Sequence, residues 1–228
     1  MATAPVRALS RVSIAWSGNA PTEDTDTLVL TIQNYSVDLR MWASGPLKGS
    51  IEWGMVGYVL DPPGSTPDTP MLAWDNIIDS REPPPVELPD EASFELLADG
   101  HVLETGTMYN PRSEKAEAYK EVWKCEDVQG ASFCVLERVG EGWGQGGTGR
   151  SFIGRLGVYT LGHAVDAKGV YSAYRDEQRD NEWQRLYHVD PHGIIPSLPA
   201  EIPSSWEVGQ KVALREGQWI VREAGRVE

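Results

Sequence analysis

The chain has 228 residues, with 34 acidic against 20 basic side chains and a formal net charge of −14. That balance repels phosphate backbones and anionic lipid, and no run of Lys and Arg interrupts it, so nucleic acid and membrane surfaces are set aside as partners. A hydrophobic fraction of 40% describes a globular chain, long enough to bury one large core or two small ones.

Residues 1–16 carry no long apolar core and no signal-peptide architecture, and no stretch reaches the ~20 apolar residues of a membrane span. A cytoplasmic protein with reduced Cys125 and Cys134 is expected. Few windows carry a helical period. Alternation and β-formers recur instead, predicting strands at 11–16, 27–33, 37–43, 50–60, 71–78, 93–98, 101–109 and 118–124. A second series is predicted at 132–139, 152–162, 169–176, 183–189, 210–216 and 218–223. Proline-rich loops fall near 61–70 and 83–89, because proline cannot donate to a central ladder. The stretch HGIIPSLPAEIPSSW reads as an irregular crossing over a barrel end. Two series of six to eight strands point to an all-β chain of two tandem barrels, since closure removes the sheet edges that so many strands would expose.

The Gly-rich stretch GEGWGQGGTGRS (140–151) contains G-x-G-x-x-G at Gly142, Gly144 and Gly147, and G-x-x-x-x-G-R-S from Gly144 to Ser151. Both phosphate-binding motifs need a helix to follow, so that its N-terminal amides face the phosphate. The strand-like FIGRLGVYTLG follows instead, so a mobile hairpin loop is the better reading. His188 and His192 have the H-x3-H spacing of a zinc pair. Pro191 between them excludes a shared helical face, and no cluster completes a site, so neither metal nor cofactor is expected.

Nine Trp and eight Tyr stand against three Phe. Trp and Tyr join an apolar face to a hydrogen-bonding tip, and either fill cores or line a ligand pocket. The ribbon DGHVLETGTMYNPRSEKAEAYKEVWK (99–124) places Glu104 on one face with Val102 and Met108, and Tyr109 on the other. On its second strand Tyr119, Glu121 and Trp123 lie together, so Glu104 and Glu121 approach across the ribbon. An inward Glu121 needs partners. Arg155 is one candidate, and the carboxylate is then either a structural ion pair or a catalytic acid. In the second series Arg155, Tyr159 and His163 share one face of a strand, Tyr171 and Arg175 one side of the next, and Trp183, Arg185 and Tyr187 that of the one after. The ligand-pocket candidates are Trp53, Glu104, Tyr109, Glu121, Trp123, Arg155, Tyr159, Tyr174, Trp183 and Tyr187.

The ribbon, with ETG at Glu104–Gly106, Tyr109, and E-x-W at Glu121 and Trp123, resembles a segment of the fungal HRI-one protein family. IEWGMVG (Ile51–Gly57), IGR (Ile153–Arg155) and the ending IPSSWEVGQKVALREGQWIVRE resemble further segments of that family, in the same order. The resemblance implies two lipocalin-like barrels, near 1–128 and 129–228, with Trp123 closing the core of the first. It carries over no catalytic residue, and a yeast member of the family is known mainly as an interactor of a casein-kinase-I-type kinase.

Three functions are weighed on these grounds. One is a cofactor-free barrel that binds an apolar or polycyclic small molecule. By fold-level analogy with fungal tandem lipocalin-like barrels, it would act as a pericyclase in natural-product biosynthesis, catalysing a Diels–Alder or hetero-Diels–Alder cyclisation. Another is a non-catalytic adaptor or binding protein with a protein partner or as a homodimer. A hydrolase or isomerase built on Glu121 is a third.

Overall fold

In the computed structural model, which describes residues 6–81, 90–215 and 217–228, every regular element is a β-strand except one three-residue 3₁₀ turn at Gly144–Gly146. The prolines at 83–85 lie outside the described residues. Strands β1 (Arg7–Trp16), β2 (Thr25–Ile32), β3 (Tyr35–Trp42), β4 (Ile51–Leu60), β5 (Met71–Asp79), β6 (Glu91–Leu96), β7 (Val102–Asn110) and β8 (Lys115–Cys125) follow one another around a barrel. Each is antiparallel to its neighbours, and β8 pairs back onto β1 to close the sheet.

The second series does not close, contrary to the tandem-barrel expectation. Strands β9 (Ser132–Val139), β10 (Arg150–Leu156), β11 (Tyr159–Val165), β12 (Tyr171–Arg179), β13 (Glu182–Val189), β14 (Lys211–Leu214) and β15 (Gly217–Arg226) form an open sheet in the order β13-β12-β11-β10-β9-β15-β14. The edges fail to meet because the chain between β13 and β14 carries Pro191, Pro196, Pro199 and Pro203 and covers one face of the sheet. Its Ile195 and Leu198 are buried with Leu136, Ile153, Tyr174, Trp219 and Val221, where a closed barrel would have its lumen. Strand β14 has only four residues and offers little ladder to a partner.

The predicted strand 152–162 is two strands. Leu156 pairs with Tyr159 across Gly157-Val158, and Gly157 has φ +55. A Gly-X pair with positive φ at the first central position is the turn whose twist suits a two-residue hairpin. Arg155 and His163 therefore belong to neighbouring strands and not to one strand face. The loop before β10 is followed by that strand and not by a helix. Its Arg150 donates to the carbonyl oxygens of Gly144, Gly147 and Gly149, so the loop directs carbonyls, not amides, at its one cation.

The largest apolar cluster lies between the two sheets. Leu28, Leu30, Ile32, Val37, Leu39 and Met41 leave β2 and β3 on the outside of the barrel wall and meet Phe133, Val135, Phe152, Leu156 and Leu161 from the second sheet. Complete burial of each large side chain stabilises by ~1.5–3 kcal/mol. Alternate residues of β9, β10 and β12 point the other way, into the cluster covered by the crossing segment. The second sheet is therefore buried on both faces, which explains the unbroken burial along β10 to β12. Polar bonds pin the same interface. Arg175 Nη1 and Tyr187 Oη donate to Asp26 of the barrel at 2.7 and 2.8 Å.

Truncating Leu39, which is fully buried outside the barrel wall, removes packing from this shared cluster. Leu39→Ala is expected to cost ~2–5 kcal/mol in urea unfolding. Leu96→Ala, at a residue 75% exposed, should stay within ~0.5 kcal/mol of the parent. Equal effects would remove the core from this interface.

Candidate functional site

Because β2 and β3 spend their apolar parity on the outside wall, the opposite parity faces the lumen. On β3 that parity is Ser36, Asp38 and Arg40. On β1 it is Arg7, Leu9 and Arg11, and on β8 it is Tyr119, Glu121 and Trp123. The lumen therefore carries charge at its centre. Arg40 donates Nε and Nη2 to Asp38 Oδ2 at 3.0 and 2.8 Å, and Nη1 to Glu121 Oε1 at 3.1 Å. Arg11 Nη1 donates to the same Glu121 oxygen, Nε to Glu23 at 2.7 Å and Nη2 to Thr25 Oγ1 at 2.8 Å. The guanidinium of Arg40 also lies 4.9 Å from the ring centre of Trp53. Burial works against the charge of Arg40, but Asp38 and Glu121 outweigh it and hold its pKa above the ordinary value.

This chain of ions divides the lumen. One cavity of about 50 Å³ opens toward the β1–β2 end, and another of about 60 Å³ toward the opposite end, with Arg40, Trp53 and Met108 in both walls. The larger cavity has an apolar mouth of Leu72, Trp74 and Phe94 and a floor of Arg7, Asp38, Glu104, Glu121 and Trp123. Glu104 and Glu121 face each other directly across β7 and β8. Burial, then the neighbouring Glu121 carboxylate, pushes Glu104 up to about 8, while the Tyr119 hydroxyl and Arg40 pull the other way. Tyr119 Oη donates to Glu104 Oε1 at 2.6 Å. At neutral pH Glu104 is mainly a neutral acid held against a carboxylate.

Eight buried polar side-chain atoms lack a hydrogen bond of good geometry among the described residues, and four of their side chains line this one cavity: Arg7 Nε, Asp38 Oδ1, Glu121 Oε2 and Trp123 Nε1, the last near enough to the Glu104 carboxyl to lower its pKa but not to bond it well. Two are donors and two are acceptors. Leaving such groups unmatched costs ~1–3 kcal/mol each, and all four border the same cavity.

Of the sequence candidates, Trp53, Glu104, Glu121 and Trp123 come together here. Tyr109 does not, since it lies on the other parity of β7, half-buried outside the lumen. Glu121 is partnered by Arg11 and Arg40, not Arg155, because β10 is in the other sheet. Tyr159 packs beside the shared core, Tyr174 donates to Pro196 O at 3.0 Å, Trp183 donates to Ala200 O at 3.0 Å, and Tyr187 reaches Asp26. None of these lines the lumen. The residues that sequence reasoning passed over are Arg7, Arg11, Asp38 and Arg40. Charges at alternate positions inside apolar strands, as in VDLRMW, were the available signal.

The family described as Protein HRI1 matches residues 7–223. The chain belongs to that family. A crystal structure of the uncharacterized protein YLR301w from Saccharomyces cerevisiae is similar in fold with a TM-score of 0.78. The two are 17% identical, and the match covers 96% of this chain and 98% of that one. Comparison with curated proteins finds no match. At that identity the likeness carries fold and not function. Among the described residues no helix is long and apolar enough to cross a membrane.

Glu104 makes stability depend on pH. Its folded pKa of about 8 exceeds the ordinary 4.5, so the folded chain keeps a proton that the unfolded chain releases. The contribution is complete below 4.5 and is lost as pH rises through 8. Glu104→Gln keeps a neutral acceptor for Tyr119 and removes the titration. Thermal melts are expected to show the variant gaining stability relative to the parent from about pH 5 to about pH 9. Parallel pH profiles would place the carboxyl in a different environment.

Proposed function

We propose that the closed barrel binds a small molecule by a compact, uncharged polar head. Eight antiparallel strands in sequential order are the closure that lipocalin-type barrels use around one small ligand. The observation that carries the reading is the convergence of two unmatched donors and two unmatched acceptors on a single cavity. We take the head to be uncharged because the cavity wall already carries both signs: Arg7 and Arg40 stand with Asp38, Asp90 and Glu121, Arg11 is paired to Glu23 and Glu121, and Glu104 holds its proton. An apolar remainder would lie on Trp74, Phe94 and Leu72 at the mouth, which alters the wholly apolar ligand of the sequence reading to an amphipathic one.

A cavity of about 60 Å³ has room for roughly four waters, enough for a head group but not for two enclosed π-systems. Binding without cyclisation is therefore the function advanced. Trp123→Phe removes the donor and one fused ring while keeping an aromatic group against Leu9 and Val102. Native mass spectrometry of protein purified without denaturant is expected to show a bound metabolite on the parent and at least about tenfold less on the variant, the loss of one well-placed hydrogen bond. A high-resolution crystal structure with only waters on all four atoms, together with no metabolite in the mass spectrum, would overturn the proposal.

A further inference from the structure

The second sheet has an opening of its own, outside the barrel. A cleft of about 730 Å³ lies where β9, β10 and β15 meet the crossing segment, walled by Trp183, Trp206, Ile202 and Ser204 with Arg155 at its base. That volume is in the range of small-molecule pockets.

Arg155 is unusual among the buried arginines. It is 3% exposed, yet no carboxylate of the described residues lies within ion-pair distance of it, whereas Arg11, Arg40 and Arg175 each hold two. Its partners are neutral oxygens. Nε donates to Thr160 Oγ1 at 2.8 Å, and Nη1 to the carbonyls of Pro199 and Ala200. Its guanidinium lies 4.0 Å from the ring centre of Trp183, whose own indole N–H is tied to Ala200 O. Nη2 makes no hydrogen bond among the described residues, and the Arg155 side chain lines the cleft. A buried cation with no carboxylate in contact is destabilised, Asp176 acting on Arg155 only from beyond ion-pair distance, and an anion accepting from Nη2 would relieve it.

We propose that this cleft binds a small aromatic carboxylate. The carboxylate accepts from Arg155 Nη2 while its ring lies against Trp183 and Trp206. Two indole walls favour a flat π-surface, and the planar guanidinium favours a planar anion. Ser132, Ser204 and Gln178 supply hydroxyl and amide groups at the lining, where Arg226 adds a second cation and the exposed Glu201 one opposing carboxylate. The site is independent of the barrel proposal, since the two cavities share no lining residue.

Benzoate and its neutral analogue benzamide, titrated into the full-length ¹⁵N-labelled protein, test the inference. Benzoate is expected to shift the indole N–H signals of Trp183 and Trp206 saturably, with benzamide at least about tenfold weaker and the benzoate affinity falling as salt is raised. Arg155→Met should abolish the shifts. If that variant does not fold, Trp206→Ala, at a half-buried position on the rim, should weaken benzoate binding severalfold while the amide spectrum stays folded. Equal binding of the two probes, shifts confined to other indoles such as Trp123, or no saturable shift at all would overturn the assignment.

Discussion

The structure depends on which face of β2, β3 and β4 is apolar. In most barrels that enclose their own core the apolar parity points inward. Here Leu28, Leu30, Ile32, Val37, Leu39 and Val56 point outward and are buried only because a second sheet covers them. The barrel wall is thus the middle of a layered packing: lumen, wall, second sheet, crossing segment. Strand alternation leaves no freedom after that choice. If one parity is apolar and outside, the other is inside, and a one-residue slip would exchange them throughout a strand.

The polar lumen follows from this constraint. Asp38, Arg40, Arg11 and Glu121 cannot reach bulk water, so they neutralise one another across three strands. Such buried networks contribute little net stability compared with apolar packing of the same volume, because desolvation offsets the attraction. A network that is costly to keep and incompletely matched differs from one that merely fills space. The unmatched atoms of Arg7, Asp38, Glu121 and Trp123 all border the cavity beside it. The second sheet has no such lumen, because the proline-rich crossing occupies the equivalent space and leaves its opening at the edge, beside Arg155.

Much of the strand pattern was legible in the sequence, because alternation is a local signal. The ribbon 101–124 is a hairpin with Glu104 opposite Glu121, as parity requires. The family was legible too, from short segments in conserved order that the match over 7–223 now covers. What was not legible is non-local. Nothing in FIGRLGVYTLG distinguishes one long strand from two except the conformation of Gly157. Nothing in the run of prolines after β13 says that the segment fills the sheet and prevents closure. Parity separates two faces without naming which one is inside, so Tyr109 was grouped with lumen residues and Arg155 with the partners of Glu121. The amphipathic character of the lumen needed the partner strands, since Arg11 and Arg40 come from distant parts of the chain.

The apolar core lies between barrel wall and second sheet, so neither half buries it alone. Expressing residues 1–128 without the remainder tests it most directly. The isolated half is expected to show exposed apolar surface, strong dye binding and a poorly dispersed amide spectrum, and to recover order when residues 129–228 are added. A monomeric 1–128 with a dispersed spectrum and cooperative unfolding as stable as the full chain would contradict it.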